Sequence, residues 1–388
     1  MISLPTDDSS ATSLAQQLPL LKRAAGEHAS AGTGGCAGSA ATVSLIMPTT
    51  SWTGMFDPCG RQALKLCETI SAARPGAAQF VVVFDGVAPP LPAWLDRPCV
   101  RVMETGQQAG PAAARNLGAA GSRGELLFFV DGDVKLATNA LDRVLHAFAE
   151  DPELIALFGS YDDEPADPGA VSQFRNLLHH HTHTTHPGKA GTFWSGCGAI
   201  RTAAFLDVGG FDERFSVPCV EDIELGMRIA ANGGRILLDP LLQCKHLKRW
   251  TLFSMVFTDI FSRAKPWTQL LLASGDLPAS LNIDWQGRVS GVCSLTLVAA
   301  LVAALLWPQA LMVAGGCLAA LLLLNGSFYR LCLAKRGLAF AGVSFALHVL
   351  YFCYASLTFG VVALQTKLLG AESPVPQLMD AESASLEG

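Results

Sequence analysis

The chain has 388 residues, half of them hydrophobic, and a formal net charge of -6. That is more apolar material than one soluble domain of ordinary size uses, and neither charge sign forms a long block, so there is no electrostatic case for nucleic acid as the main partner. Eleven cysteines stand without a CxxC pair, which suits free thiols in a reducing compartment and argues against a disulfide framework or a zinc knuckle.

Residues 1–41 are Ser, Ala, Gly and Thr with few large apolar groups, the composition of a disordered tail. Its leucines precede Lys22 and Arg23, the reverse of the order in a signal peptide, so the soluble part is expected in the cytosol. From Val43 onward short apolar runs alternate with amphipathic segments. The runs Val43–Met47, Phe80–Phe84, Val100–Met103, Leu126–Val130 and Leu154–Phe158 each fit a buried strand bounded by turn residues. Between them, Asp57-Pro58 opens one helix, Gly110–Ala120 forms a second, and Thr138 caps a third with Leu141, Val144, Leu145 and Phe148 on one face. This alternation predicts an α/β domain over 42–248, a mostly parallel sheet flanked by helices with its ligands beyond the carboxyl ends of the strands.

The composition then shifts twice. In the segment 249–288, Trp250, Phe253, Phe257, Ile260 and Phe261 recur near helical spacing, with Lys245, Lys248, Arg249, Arg263 and Lys265 around them. Two readings stand: a helix in the headgroup region of a bilayer, or an ordinary core-facing helix. Within 289–366, the stretches 289–306, 310–329 and 340–364 contain no Asp, Glu, Lys or Arg, which predicts three membrane helices rather than three buried helices of a soluble core. The link between the second and third carries Arg330, Lys335 and Arg336 and is expected in the cytoplasm, which places 42–288 there too and the acidic tail 367–388 outside. The expected location is the inner cell membrane, multi-pass, with the soluble domain cytoplasmic.

The residues that could carry chemistry sit where apolar runs stop. ELLFFVDGDVKL ends a strand on Asp131 and Asp133; two carboxylates one residue apart can share a magnesium or manganese ion, although Asp-Gly is also a common turn. FVVVFDG ends on Asp85, facing the same crevice. QQAGPAAARNLGAAGSRG gives a Gly-rich entry to a helix that carries Arg115 and Asn116, and a helix start suits an anion.

VSLIMPTT, FVVVFDG, GPAAARNLG, DGD, GGFDERF and VEDIELGMRI follow in this order, and together they resemble the family 2 glycosyltransferases of the GT-A fold over about residues 43–250. The resemblance implies a nucleotide-sugar donor bound by Asp85, Arg115, Asn116, Asp131 and Asp133, with a divalent metal, Mn or Mg, on Asp131 and Asp133. It makes Asp222 the catalytic base and puts the acceptor region near Trp194, Gly196, Asp212 and Glu221. The acceptor would be lipid-linked or a glycan, held at the membrane in cell-envelope or polysaccharide biosynthesis. A base and a metal are the two things such a displacement needs, one for the attacking hydroxyl and one for the leaving diphosphate. Glu221 and Asp222 also read as acidic residues at a helix N-terminus, and only one of two neighbours should face the donor. Trp194 reads equally as a sugar platform or as core.

His246, in LLQCKHLKRW, completes the metal site in many relatives; a surface histidine is the plainer reading. Arg249-Trp250 end a near miss to the QxxRW signature of processive synthases, with His246 at the glutamine position, so a single transfer is expected. The run His179-His180-His181-Thr182-His183, with His186, lacks cysteine and adjacent carboxylates. It reads as a solvated helix or loop, with one histidine in reach of acceptor or phosphate, ahead of a zinc site. Two other classes compete. A haloacid-dehalogenase-type phosphohydrolase also starts on a strand-end DxD but expects Thr where Lys135 stands, and a non-catalytic nucleotide-sugar-binding membrane protein would not need Asp131, Asp133 and Asp222 together.

Overall fold

The computed structural model describes residues 41–274 and 285–369. The expected N-terminal tail up to residue 40, the linker at 275–284 and the acidic tail from 370 lie outside the described residues. The strands are β1 (Val43–Thr49), β2 (Ala78–Phe84), β3 (Val100–Glu104), β4 (Leu126–Val130), β5 (Val134–Leu136), β6 (Leu154–Tyr161), β7 (Gly188–Ala190), β8 (Cys197–Arg201) and β9 (Arg235–His246). They form one sheet in the order β3-β2-β1-β4-β8-β6-β9-β5, with β7 also on β9. Helices α1 (Phe56–Ala73), α2 (Pro111–Ala120), α3 (Ala140–Glu150), α4 (Ala170–Thr185), α5 (Thr202–Asp207) and α6 (Glu221–Ala231) cover it.

The continuous apolar runs are explained by burial on both faces. Successive strand residues point to opposite sides, so Leu45, Met47, Phe80, Val82 and Phe128 pack with α1 and α3. Their neighbours Ile46, Val81, Val83, Leu127 and Phe129 pack with α2 and α6 on the other side. The pairs β1-β2, β1-β4 and β2-β3 are parallel, as the alternation of strand and helix predicts. The sheet as a whole is mixed, because β8 runs antiparallel between β4 and β6. Its register explains why: Val130, the last residue of β4, pairs with Cys197, the first of β8. The chain enters β8 from the carboxyl-end crevice, after laying Trp194, Ser195 and Gly196 along it. None of the described cysteines is in a disulfide.

Beyond the sheet, α7 (Leu252–Phe257) passes through a π-helical stretch, Thr258–Ala264, into α8 (Lys265–Ser274). One side of this segment is interior and the other is exposed. Trp250 and Met255 are buried in a cluster with Phe174 and Leu177, whereas Phe253, Phe257 and Phe261 are 78%, 51% and 54% exposed. Those three rings lie in a row, 5.9 and 4.8 Å apart between successive centroids. The last helices are α9 (Trp285–Ala303), α10 (Ala310–Leu324) and α11 (Gly326–Leu369), the last bent at Gly337, where φ is 80°. By length and composition α9 and α11 are long and apolar enough to cross a membrane, whereas α10, expected to run to 329, stops after 15 residues at Asn325. The basic stretch expected as a link is helical. Lys335 lies 2.5 Å from Asp163, and Arg336 Nε donates to Gln173 Oε1 at 2.8 Å.

Candidate active site

Three strand ends and one helix start meet at the carboxyl end of the sheet. Asp85 follows β2 and accepts from the Ala109 N–H at 2.8 Å, the Gly110 N–H at 3.1 Å and the Thr105 hydroxyl at 3.0 Å. Its carboxylate therefore fixes the loop that enters α2. Gly110 there has φ +92°, and a Cβ would fall 2.3 Å from the Ser216 carbonyl oxygen, so only glycine lets the two loops close on each other.

Asp131 and Asp133 follow β4. Backbone pairing decides what Asp133 meets: β5 sets Val134 opposite His246, and the Leu247 N–H donates to the Asp133 carbonyl at 2.9 Å. The His246 Nε2 then lies 3.3 Å from Asp133 Oδ2. Burial raises the Asp133 carboxyl, but His246 beside it and the charge of Lys248 bring it below the ordinary aspartate range.

Arg115 is the hub. It is buried at the second turn of α2, with its Nη2 2.7 Å from Asp131 Oδ1 and its Nη1 2.8 Å from Glu221 Oε1. It was expected on the donor; here it ties the first DGD aspartate to the start of α6. Asn116, also expected on the donor, has both ends of its amide committed to the loop after α5. Its Nδ2 donates to the Phe211 carbonyl and Glu213, and its Oδ1 accepts from the Phe211 N–H. In this structure Asn116 positions a loop. Asp212, expected near the acceptor, is paired with Arg214 two residues on, at 2.9 Å, within the same turn.

The adjacent acids of α6 face different ways, as consecutive helical side chains must. Glu221 is buried and accepts from Arg115 and from the Cys219 N–H. Asp222 Oδ2 accepts from the Ser195 N–H at 3.0 Å and the Ser195 hydroxyl at 3.2 Å, and Oδ1 from the Ile223 N–H at 2.8 Å. Burial, then the charge of Glu221, push the Asp222 carboxyl up to about 6, against the pull of Arg115 and the Ser195 N–H. A carboxylate with its pKa near the working pH is suited to general-base work. Its position depends on close packing. A Cβ on Gly226 would lie 2.1 Å from the Phe193 nitrogen, so Gly226→Ala is expected to lift α6 off the 192–195 segment and destabilise the fold by about 1–3 kcal/mol. A thermal melt measures it.

The histidine run is solvated on one side only: His186 is exposed and His183 is buried. It forms the later turns of α4, whose inner side meets the site. The His179 ring lies 4.1 Å from Tyr161, 3.9 Å from His183 and 4.6 Å from Trp194 between centroids. The His183 Nδ1–H donates to the Gly159 carbonyl at 2.8 Å. Burial keeps both imidazoles neutral, His183 down to about 4 and His179 well below its ordinary value. Trp194 is half-buried in this aromatic group, and Gly196 beneath it leaves room for the indole, which a Cβ would approach to 2.6 Å. Sequence reasoning missed Tyr161 and Ser195. The first ends β6 and the strand-end rule would have found it; the second lies beside Trp194 with nothing in its type to mark it.

Among the described residues, no group of three or more His, Cys, Asp and Glu is arranged to hold a metal ion. The donor set suits an ion that takes two protein ligands. Asp133 and His246 present an oxygen and a nitrogen 3.3 Å apart, and the His246 Nδ1 is already committed to Asn176 Oδ1 at 3.3 Å. With that nitrogen donating, a neutral imidazole turns a lone pair on Nε2 towards Asp133, and two acceptors face each other across a gap that a cation or proton would fill.

The model of "Glycosyl transferase family 2" matches residues 63–209. A pre-mycofactocin glycosyltransferase of Mycobacterium tuberculosis is 27% identical over 183 residues, 43% of this chain and 37% of its own length. An inactive polypeptide N-acetylgalactosaminyltransferase-like protein 5 of Macaca fascicularis is 25% identical over 168 residues, 39% of this chain and 38% of its own. The matches thus span little more than a third of these relatives. A solved mannosyltransferase from Pyrobaculum calidifontis, in complex with GDP-Man and Mn2+, superposes on 92% of this chain and 96% of its own with a TM-score of 0.50 at 17% identity, a likeness of fold. Asp222 and His246 lie beyond the stretch that the family model matches.

Proposed function

We propose that the chain is a metal-dependent, inverting glycosyltransferase, a reading supported by the family 2 model that matches residues 63–209 and by a sheet of the GT-A type. It moves a sugar from a nucleotide-sugar donor to a lipid-linked or glycan acceptor at the cytoplasmic face of the cell membrane. One observation carries the reading: Asp222 stands beside the Arg115–Glu221 bridge that ties α6 to Asp131, takes no part in that bridge, and has its carboxyl held up at about 6. One carboxylate is thereby reserved for a proton while others are reserved for charge.

In this reading the acceptor hydroxyl approaches Asp222 along the Trp194–Gly196 segment. As its oxygen bonds to the anomeric carbon from the face opposite the leaving group, its proton passes to an Asp222 carboxylate oxygen and the nucleoside diphosphate departs. Asp133 and His246 would hold the metal, with Asp131 beside it, and a bound divalent ion supplies charge neutralisation for the departing diphosphate. Asp85 holds the loop that enters α2 through the Ala109 and Gly110 N–H groups, and in this reading that loop borders the donor. The neighbour solved with GDP-Man and Mn2+ supports both donor class and metal.

The membrane assignment is supported by α9 and α11 and by the exposed Phe253, Phe257 and Phe261. The Lys335–Asp163 contact adds to it: the basic turns of α11 touch the catalytic domain, so both lie on one side of a bilayer, the side that favours Lys and Arg. To test the function, purified full-length protein is incubated with labelled nucleotide sugars, Mn2+ and a membrane lipid extract. Label moving from one donor into the lipid or glycan fraction is the expected result; neither transfer nor donor hydrolysis with any common donor would overturn it.

A further inference from the structure

The use of His246 as a ligand depends on which of its nitrogens carries the proton, and the groups around the ring bear directly on that choice. His246 is buried, its imidazole lies parallel to Tyr161 with centroids 4.8 Å apart and planes 6° off, and the Trp250 ring stands 6.2 Å away. The ring therefore cannot swing to find other partners. Its Nδ1 meets one polar group, Asn176 Oδ1, at 3.3 Å, and its Nε2 meets Asp133 Oδ2 at 3.3 Å. Asn176 stands on α4, is 1% exposed, and its Nδ2 has no hydrogen-bond partner.

We propose that Asn176 is the positioning residue that sets the tautomer of His246 and so decides whether this histidine can serve as a metal ligand. An amide is suited to the task because one end only accepts and the other only donates. With Oδ1 towards the ring, Nδ1 keeps its proton and Nε2 offers a lone pair beside Asp133. Turning the amide over brings Nδ2 to the ring instead; Nδ1 then accepts, and the proton on Nε2 closes onto Asp133. The unpartnered Nδ2 is the cost of this orientation: without a cation the turned-over amide would satisfy its own donor and Asp133 together, so it is a cation on Nε2 and Asp133 that favours Oδ1 towards the ring. No backbone shift is needed between the two arrangements, because β5–β9 pairing fixes Asp133 and stacking on Tyr161 fixes the ring.

The inference rests on the metal reading above, and the experiment separates the two. Mn2+ binding to detergent-solubilised full-length protein is followed by electron paramagnetic resonance, with folding checked by thermal melts, for the wild type and for Asn176→Leu, Asn176→Asp and His246→Ala. Asn176→Leu is expected to weaken Mn2+ binding about 10- to 100-fold, the usual cost of losing a partner behind a ligand. Asn176→Asp, whose carboxylate can only accept, keeps the proton on Nδ1 and should bind at least as well as the wild type. Equal affinity of Asn176→Leu and wild type, or an equal loss in both Asn176 variants, overturns the inference while leaving the metal site standing if His246→Ala still weakens binding. A wild type that binds no Mn2+, or a His246→Ala variant that binds as well, overturns the metal assignment and the inference with it.

Discussion

Asp222→Asn is expected to lower the transfer rate by about 10²- to 10⁴-fold, the range associated with removing a general base, and to leave donor affinity and metal affinity unchanged. The amide oxygen can replace only one of the two carboxylate oxygens, so one of the Ser195 and Ile223 N–H groups, held natively at 3.0 and 2.8 Å, loses its acceptor, and the melting temperature should fall by about 2–12 °C, the cost of leaving one buried donor unpaired at about 1–3 kcal/mol. The pH profile gives the second readout. Burial and Glu221 hold the wild-type carboxyl up at about 6. Because the base works only when ionised, kcat/KM should fall tenfold per pH unit below that value and level off above it. In Asp222→Asn the residual rate should lose that limb. A variant that transfers sugar at the wild-type rate, or a wild-type profile flat between pH 5 and 7, would remove Asp222 from the role.

Much of the donor half of the fold was legible because burial on both faces leaves a plain mark. Leu126–Val130 is five apolar residues with no polar position, and such a run followed by Asp131 has few other readings. The second half was harder. CGAIR, the β8 strand, is short and starts with small residues, so its insertion between β4 and β6 depends on tertiary contacts that the five residues do not announce. The apolar C-terminal helices were legible in composition but not in boundaries. Asn325 ends α10 because its side chain bonds Ser290 on α9 at 3.0 Å, a partner 35 residues away. In the site, the chemical types were readable and the partners were not. Arg115, Asn116 and Asp212 are residues that could bind a ligand; the first two are engaged by distant parts of the chain and Asp212 by Arg214 in its own turn. The histidine run looked solvated because eight consecutive positions, His179–His186, are all polar. Only the stacking against Tyr161 and Trp194 shows that one side of it is interior.

Arg115 is where stability and chemistry meet, and Arg115→Leu is the variant expected to damage both. Its guanidinium bridges Asp131 and Glu221 at 2.7 and 2.8 Å, and the Glu221 side chain is only 5% exposed. Removing one member of a buried ion pair leaves the other charge without compensation, at a cost of about 3–5 kcal/mol, which for a domain of this size lowers the melting temperature by roughly 6–20 °C. Arg115→Lys keeps the charge but not the fork that reaches two carboxylates at once, so it should fall between. The chemical consequence has a definite sign. Arg115 pulls the Asp222 carboxyl down against burial and Glu221, so its removal should raise that carboxyl further and move the acid limb of the pH profile upward, leaving less ionised base at neutral pH. The double variant Arg115→Leu with Glu221→Gln separates the terms: it should recover part of the melting temperature, since the stranded buried charge is gone. It should also lower the limb again, since Glu221 is the charge that raises Asp222. An Arg115→Leu protein that melts and titrates like the wild type would show that the buried bridge neither holds the site together nor tunes its base.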